Sequence, residues 1–298
     1  MIDQIQVPKD RIIGSIVGGA IGDAYGGVHE RGKVLISDDT QMTLATCEAI
    51  LAAGEVSPAS IAKCFAEWFR ERRITGVGAS TLKAMRDLEA GGHWALLGAK
   101  GERAAGNGAA MRVAPLAFLL DPLDPSQRVT IRDVCRITHH SDEAYCGALA
   151  VLIAIRLAAL GTWSRSPGIF RQIADPIPDS HVKDRLTILA NLPEDMPLGE
   201  LAVRFGSSGF VAETVPLALT AAMRMTPAAM ESVIAEIVEA GGDSDTIGSI
   251  AGQIAGVDLG FSRLPKELVA NVPESKMIFE AAMRFGDSVT KQPQPHRQ

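Results

Sequence analysis

The chain predicts an all-α protein built as one compact domain, and three observations carry that expectation. Apolar residues make up 47% of its 298 positions, while aromatics make up only 5%. Such a mix, rich in Ala, Gly, Leu and Ile, suits closely packed helices; a β-sandwich draws more on Val, Thr, Tyr and Phe. Apolar residues also recur at helical spacing, most plainly at Ile247, Ile250, Ala251 and Ile254, the i, i+3, i+4, i+7 stripe of an amphipathic helix. No stretch alternates convincingly with the period of a strand, no repeat is visible and no linker demands a boundary. The domain is expected to span residues 1–289, with the Pro-, Gln- and basic-rich residues 290–298 as a disordered tail.

The first helix is expected from about Asp10 to Tyr25. Gly14, Gly18, Gly22 and Gly26 recur every four residues and form one slowly drifting ridge on it. Each glycine costs up to about 1 kcal/mol in a helix relative to alanine, so four together point to close approach by another helix. A second ridge stands at Gly248, Gly252 and Gly256. The two ridges predict helices that pack on each other or on shared neighbours, which would carry Asp23 toward residue 243. A helix is expected over Thr40–Ala53, stopped near Gly54. Another follows Ser57-Pro58, with Pro58 at a first helical position, and runs through Trp68 to about Arg72. Thr81–Leu88 reads as helix, Gly91-Gly92 as a break and Gly101–Gly108 as a loop. Helices are then expected over Ala109–Leu120 despite Pro115, over Ile131–Thr138, and over Asp142–Leu160, which is apolar enough to be central. Between Gly161 and Glu200, proline and charge leave one short helix near Val182–Leu192. Thr214–Met225 reads as helix around Pro216. Thr226-Pro227 reads as a cap with a first-turn proline, opening a helix that ends at Ala240 before Gly241-Gly242.

Composition excludes some functions. The net charge of −6, without a long basic run, argues against a nucleic-acid partner, because phosphate binding needs clustered Lys and Arg. Residues 1–10 lack the plan of a signal peptide, and the apolar stretch Ile12–Val28 is too broken by Ser15, Asp23 and glycines to span a membrane. Cys47, Cys64, Cys135 and Cys146 form no C-x-x-C pair; reduced, buried thiols in a cytoplasmic protein are the expectation.

Two acidic clusters carry the chemistry. Ser37-Asp38-Asp39-Thr40 and Asp243-Ser244-Asp245-Thr246 each precede an apolar helical run. Two readings fit each cluster by itself: helix capping, for which Asp, Ser and Thr are preferred, or half of a cation site. Capping uses one residue, and each cluster supplies several. Four carboxylates and several hydroxyls at one spot would suit hard divalent cations, Mg²⁺ or Mn²⁺, better than zinc. The Gly106–Arg112 loop could hold phosphate or ribose oxygens on its backbone N–H groups, or simply be a tight turn. His139-His140 before Ser141-Asp142 could be a metal pair, a substrate contact or ordinary loop residues; zinc-site spacing is lacking, and the local reading favours the loop. Glu30, in a short loop, draws interest only from its closeness to Asp38.

The motifs together resemble the ADP-ribosylglycohydrolase family, which includes ADP-ribosylarginine hydrolases and dinitrogenase reductase-activating glycohydrolases. The resemblance rests on Gly18–Ala24, Ser37–Leu44, Gly106–Arg112, Thr138-His139, Gly206–Gly209 and Gly241–Ile247, which follow the family's order across nearly the whole chain. It implies an all-α fold with a cleft for two Mg²⁺ or Mn²⁺ ions held by Ser37, Asp38, Asp39, Asp243, Asp245 and Thr246. It implies catalytic roles for Glu30, Asp38 and Asp245. It further implies substrate contacts from Asn107, Gly108, His139, Gly206, Ser207, Ser208 and Gly209. The implied reaction is hydrolysis of the glycosidic bond between ADP-ribose and a modified protein side chain, arginine first, releasing ADP-ribose. The alternatives are O-linked ADP-ribose on serine, a small ADP-ribose derivative, a non-catalytic ADP-ribose binder, or a metal-dependent phosphohydrolase. The chain departs from the family in three places: Ser37 replaces the common threonine, the Glu30–Ser37 loop is much shorter than in the dinitrogenase reductase enzyme, and Gly76-Val77-Gly78 stands where some arginine-specific members carry an Asp.

Overall fold

The computed structural model describes residues 7–101 and 104–291, except for the side chain of Glu30. The chain is helical almost throughout. The long helices are α1 (Lys9–Gly26), α3 (Asp38–Ala53), α4 (Pro58–Arg70), α5 (Ala79–Glu89), α7 (Pro125–Arg136), α8 (Asp142–Ala159), α12 (Val211–Arg224), α13 (Met230–Ala240), α14 (Ser244–Leu259) and α16 (Ser275–Lys291). Shorter ones connect them: α2 (Val28–Arg31), α6 (Trp94–Leu97), α9 (Gly168–Ala174), α10 (His181–Leu189), α11 (Leu198–Phe205) and α15 (Lys266–Asn271). Serines start several of them as the sequence implies: the side chains of Ser37, Ser57, Ser141 and Ser180 each accept a backbone N–H of the first turn. Gly54 ends α3 in the left-handed conformation, at φ +74°.

Helices α1, α8 and α14 are buried on nearly every face and form the centre, with α3, α12 and α16 packed around them. The glycine ridges meet face to face. An added Cβ on Gly22 would overlap the carbonyl oxygen of Gly248, and one on Gly18 that of Gly252. The reciprocal clashes hold for Gly248 and Gly252. Low numbers on α1 face high numbers on α14, so the two helices run antiparallel with their backbones in contact. Side chains would force them apart. This contact sets the end of α1, with Asp23, beside the start of α14, and the Ser244 hydroxyl donates to Gly26 O at 2.8 Å.

The structure corrects several expected elements. Ala109–Leu120 is not an α-helix but two 3-10 turns, Ala110–Arg112 and Ala114–Phe118; Pro115 has no N–H to donate and blocks a continuous helix. Helix α7 starts at Pro125 instead of Ile131, capped by Asp124, which accepts from Ser126 N at 2.8 Å. Pro227 lies in a turn, and α13 begins at Met230. Two short strands exist after all: β1 (Ala99–Lys100) pairs in parallel with β2 (His139–His140). Helices α2, α6, α9, α11, α15 and α16 were not among the expected elements, and Glu30, expected in a short loop, lies in α2. The expected tail lies outside the described residues from 292 onward, and Thr290 and Lys291 belong to α16.

Candidate functional site

The site begins with Asp23, whose side chain is fully buried at the end of α1. Its carboxylate accepts from Ser37 N at 2.8 Å, Thr40 N at 3.2 Å, the Thr40 hydroxyl at 2.6 Å and Arg31 Nη2 at 3.3 Å. Four donors fill the acceptor sites of a carboxylate. Asp23 thus clamps the turn that opens α3, and so holds Ser37, Asp38 and Asp39 in place. Burial raises its pKa above the ordinary value, opposed by the bonds from Thr40 and Ser37.

The two acidic clusters converge on this clamp. The Thr246 hydroxyl, from α14, donates to Asp39 Oδ2 at 3.1 Å across 207 residues of chain. The Ser37 hydroxyl donates to the same oxygen at 3.1 Å. Oxygens of Asp23, Asp39 and Asp245 lie within 4.8 Å of one another. Asp39 Oδ1 is buried without a hydrogen-bond partner, an arrangement that is costly unless a ligand satisfies it. Burial, then repulsion from Asp23 and Asp245, holds the Asp39 carboxyl well above the usual carboxylate range. Asp38, half-buried beside it, is pushed up to about 7 by burial and then by Asp245, Asp23 and Asp243. An all-oxygen cluster with mutual repulsion and an orphaned buried oxygen fits a hard divalent cation. Asp23 belongs to the cluster by distance, but its oxygens are already engaged, which makes it the support and leaves Asp39 and Asp245 with open sites.

The predicted substrate loops are brought to the same place. Asn107 N donates to Gly209 O at 3.0 Å, and Val211 N to Ala105 O at 2.9 Å, so the Gly106–Gly108 and Gly206–Gly209 segments lie side by side. Asn107 Nδ2 donates to Asp243 Oδ2 at 2.5 Å and to Thr214 Oγ1 at 2.9 Å. Asp243 N donates to Ser207 O at 2.7 Å. Gly206 adopts φ +87°, open to glycine, and a Cβ there would overlap the Glu213 carboxylate. That carboxylate accepts from Ser208 N at 2.9 Å and the Ser208 hydroxyl at 2.7 Å. Glu213, from α12, therefore shapes the loop; the sequence reading missed it, although a glutamate four residues after Gly209 in a first helical turn was a usable signal. Ser208 and Gly209 are exposed, whereas Asn107 and Gly108 are buried.

His139 sits beneath these loops instead of lining open space. It is 3% exposed, its Nδ1 lies 2.8 Å from the Thr138 hydroxyl, and a Cβ on Gly108 would come within 2.8 Å of its ring. Burial, then the neighbouring Arg112 cation, lowers its pKa from 6.5 to about 3. The sign follows directly. Between those values the unfolded chain binds a proton at this residue and the native protein does not, so acid destabilises. The neutral ring is without penalty above pH 6.5, and the loss grows as pH falls toward 3. At pH 5 it reaches about 2 kcal/mol. Urea unfolding of the parent and His139→Gln at pH 7 and pH 5 should show the parent losing about that much more than the variant. Equal losses would place a charged ring in the native state.

Glu30 lies in α2, with its side chain outside the described residues. Arg31, one position on, is a residue the reading did not single out. It bonds Asp23 and Asp245 at 3.3 Å each. No pattern in the sequence distinguishes it from any loop arginine. Asp23 had a signal, an acid inside an apolar, glycine-rich helix, and was noted only as a neighbour.

The sequence profile described as ADP-ribosylglycohydrolase matches residues 5–295. The ADP-ribosyl-[dinitrogen reductase] glycohydrolase of Rhodospirillum rubrum is 28% identical over 86% of this chain and 88% of its own. The ADP-ribosylarginine hydrolase Tri1 of Pseudomonas putida is 27% identical over 93% of this chain and 78% of its own. Human ADP-ribosylhydrolase ARH3 is 25% identical, over 77% and 72%. A solved ADP-ribosylglycohydrolase-related protein complex superposes with a TM-score of 0.68 at 23% identity, covering 96% of this chain and all of that one.

Proposed function

This chain belongs to the ADP-ribosylglycohydrolase family, and from that premise we propose that it releases ADP-ribose from ADP-ribosylated arginine in proteins, using divalent cations held by the converged acidic clusters. Family members hydrolyse glycosidic bonds of ADP-ribose, and this chain is such a hydrolase. The observation that carries the finer reading is the bond between Thr246 and Asp39, which joins the two motifs next to the paired glycine loops. Arginine is favoured because the two relatives that align with 86% and 93% of this chain bear names for dinitrogen reductase and arginine substrates. A second reading, O-linked ADP-ribose on serine or a small ADP-ribose derivative, is favoured by Gly76-Val77-Gly78, which offers no carboxylate to a guanidinium.

Ser37, Asp38, Asp39, Asp243, Asp245 and Thr246 would hold two Mg²⁺ or Mn²⁺ ions. Bound there, such ions polarise oxygen ligands and lower the pKa of water. The chain's own groups do the positioning. Ser37 and Thr246 aim Asp39 by donating to one of its oxygens and leaving the other open. Asn107 holds Asp243 by its amide. The Gly206–Gly209 loop, shaped by Glu213, presents exposed Ser208 and Gly209 to the rest of ADP-ribose. Breaking the bond at the distal ribose passes through an oxocarbenium-like state, and Glu30 would be the group that orients water or protonates the leaving group. His139 acts from behind, supporting Gly106 and Gly108. Four buried thiols support a reducing compartment, the cytoplasm, and no described helix is long and apolar enough to cross a membrane.

Product analysis tests this reading on arginine- and serine-linked ADP-ribose. Free ADP-ribose is expected from the arginine-linked substrate. AMP with phosphoribose left on the side chain would mean diphosphate cleavage, and no product would mean a binding protein. EDTA should abolish release and lower the melting temperature, and Mg²⁺ or Mn²⁺ should restore both, since a ligand of the native state stabilises it. Full activity after exhaustive chelation would end the metal reading.

A further inference from the structure

Arg31 lies in a seat made for it. Helix α2 is one turn long, and Arg31 folds back over Gly27, four residues earlier. A Cβ on Gly27 would overlap the guanidinium, so only glycine admits it there. The side chain is 21% exposed. Nη2 donates to the main-chain oxygen of Asp23 at 2.7 Å and to its Oδ1 at 3.3 Å. Nη1 donates to Asp245 Oδ2 at 3.3 Å. Among the ion pairs of the described residues, no other basic side chain bonds Asp23, Asp38, Asp39 or Asp245.

The two ends of the guanidinium differ in what holds them. Nη2 is anchored on a backbone carbonyl in the last turn of α1, where a cation is favoured by the helix dipole. That anchor uses no carboxylate of the open cluster. Nη1 does use one, Asp245, one oxygen of which lies within 4.8 Å of an Asp39 oxygen. A divalent cation bound between Asp39 and Asp245 would draw on the same Asp245 carboxylate and would repel the guanidinium.

We propose that Arg31 is a built-in counter-cation of the acidic cleft: it neutralises Asp245 in the metal-free protein, yields that contact when a divalent cation binds, and thereby sets how tightly the cation is held. The inference rests on the reading that Asp39 and Asp245 take a divalent cation. It needs neither hydrolysis nor ADP-ribose. Two effects act in one direction. Releasing Asp245 from Arg31 opposes cation binding, and so does a positive charge a few ångströms from the ion.

The experiment is calorimetric titration of the metal-free full chain with Mn²⁺ alone, beside melting curves in EDTA. Arg31→Met keeps the length and removes the charge. It should bind Mn²⁺ on the order of tenfold more tightly than the parent, as expected for removing one neighbouring charge in a partly solvated site. In EDTA it should melt lower than the parent, because the carboxylates have lost their counter-ion, and Mn²⁺ should raise its melting temperature by more. Arg31→Lys, which keeps the charge, should stay near the parent in Mn²⁺ affinity. Should Arg31→Met fail to fold without metal but fold with it, the proposal is supported. Should it fail in both states, Arg31→Gln reads the same loss of charge with hydrogen-bond donors retained. Unchanged or weaker Mn²⁺ binding in the uncharged variants overturns the proposal, and weaker binding would make Arg31 a support of Asp245. A parent that binds no Mn²⁺ overturns it as well. A parent that binds Mn²⁺ with the expected Arg31 effect but releases no ADP-ribose would sink the proposed hydrolysis and leave this inference standing.

Discussion

Gly22→Ala should unfold the protein at a much lower temperature, although it adds a single methyl group. The new Cβ would overlap a backbone oxygen, Gly248 O, and no side-chain rotation can relieve that. Helices α1 and α14 would have to separate along their contact. Overpacking costs about 1–3 kcal/mol and occasionally more; an unyielding backbone neighbour puts this case at or above the upper end. The melting temperature should fall by on the order of 10 °C, at about 2–4 °C per kcal/mol for larger domains. The site should suffer with it, because separation moves Asp23 away from the start of α14. A control of opposite sign is Gly199→Ala in α11, where an added Cβ meets nothing within 4 Å. It should leave stability unchanged or raise it by up to about 1 kcal/mol. If Gly22→Ala melted with the parent, the helices would not be in backbone contact.

Asp245→Asn should cut turnover by about a thousandfold or more. The substitution keeps size but removes one charge and one anionic ligand from the converged clusters, and cation activation contributes several kcal/mol of barrier reduction at about 1.4 kcal/mol per factor of ten. Binding of ADP-ribose should weaken far less, because Asn107 and the Gly206–Gly209 loop are held by Thr214 and Glu213 and do not depend on Asp245. Calorimetry for Mn²⁺ and for ADP-ribose, beside the release assay, separates the two losses. In the same series Glu30→Gln should impair turnover and leave Mn²⁺ binding nearly intact. An Asp245→Asn enzyme with parental turnover would remove the cluster from the mechanism, and a fully active Glu30→Gln would do the same for Glu30.

The glycine ridges were legible because a residue that costs helix stability had been used repeatedly at one spacing, and their partner could be guessed from a second ridge. The acidic clusters were legible because each held more polar groups than a cap requires. What sequence could not convey was which oxygen each group satisfies. Asp23 was expected only to lie near the second motif, yet it is the residue that clamps the first, through Ser37 and Thr40. His139 looked like a surface contact, yet it is buried under glycines whose lack of side chains makes room for its ring. Helix α16 escaped notice although Ile278, Ala282 and Phe285 make a buried stripe, because Phe279, Ala281 and Met283 beside them blur the period and Glu280 and Arg284 interrupt it. The Ala110–Phe118 turns read as helix because their composition is apolar; Pro115 decided otherwise.

The pairing of Gly22 with Gly248 also has a consequence for how the chain comes to exist. The contact that builds the cleft joins residues more than two hundred positions apart, and loop closure on that scale precedes any reward from the contact. During synthesis α1 leaves the ribosome more than two hundred residues ahead of α14, with its run of isoleucines, valine and glycines not yet covered by that partner. Over that interval it must be shielded by transient contacts or by chaperones. A chain cut between the end of α3 and the start of α14 would carry the first acidic motif and the first ridge but no cleft. Such a product would lack the helix that buries the first ridge, and would be a substrate for quality control and not a weaker enzyme.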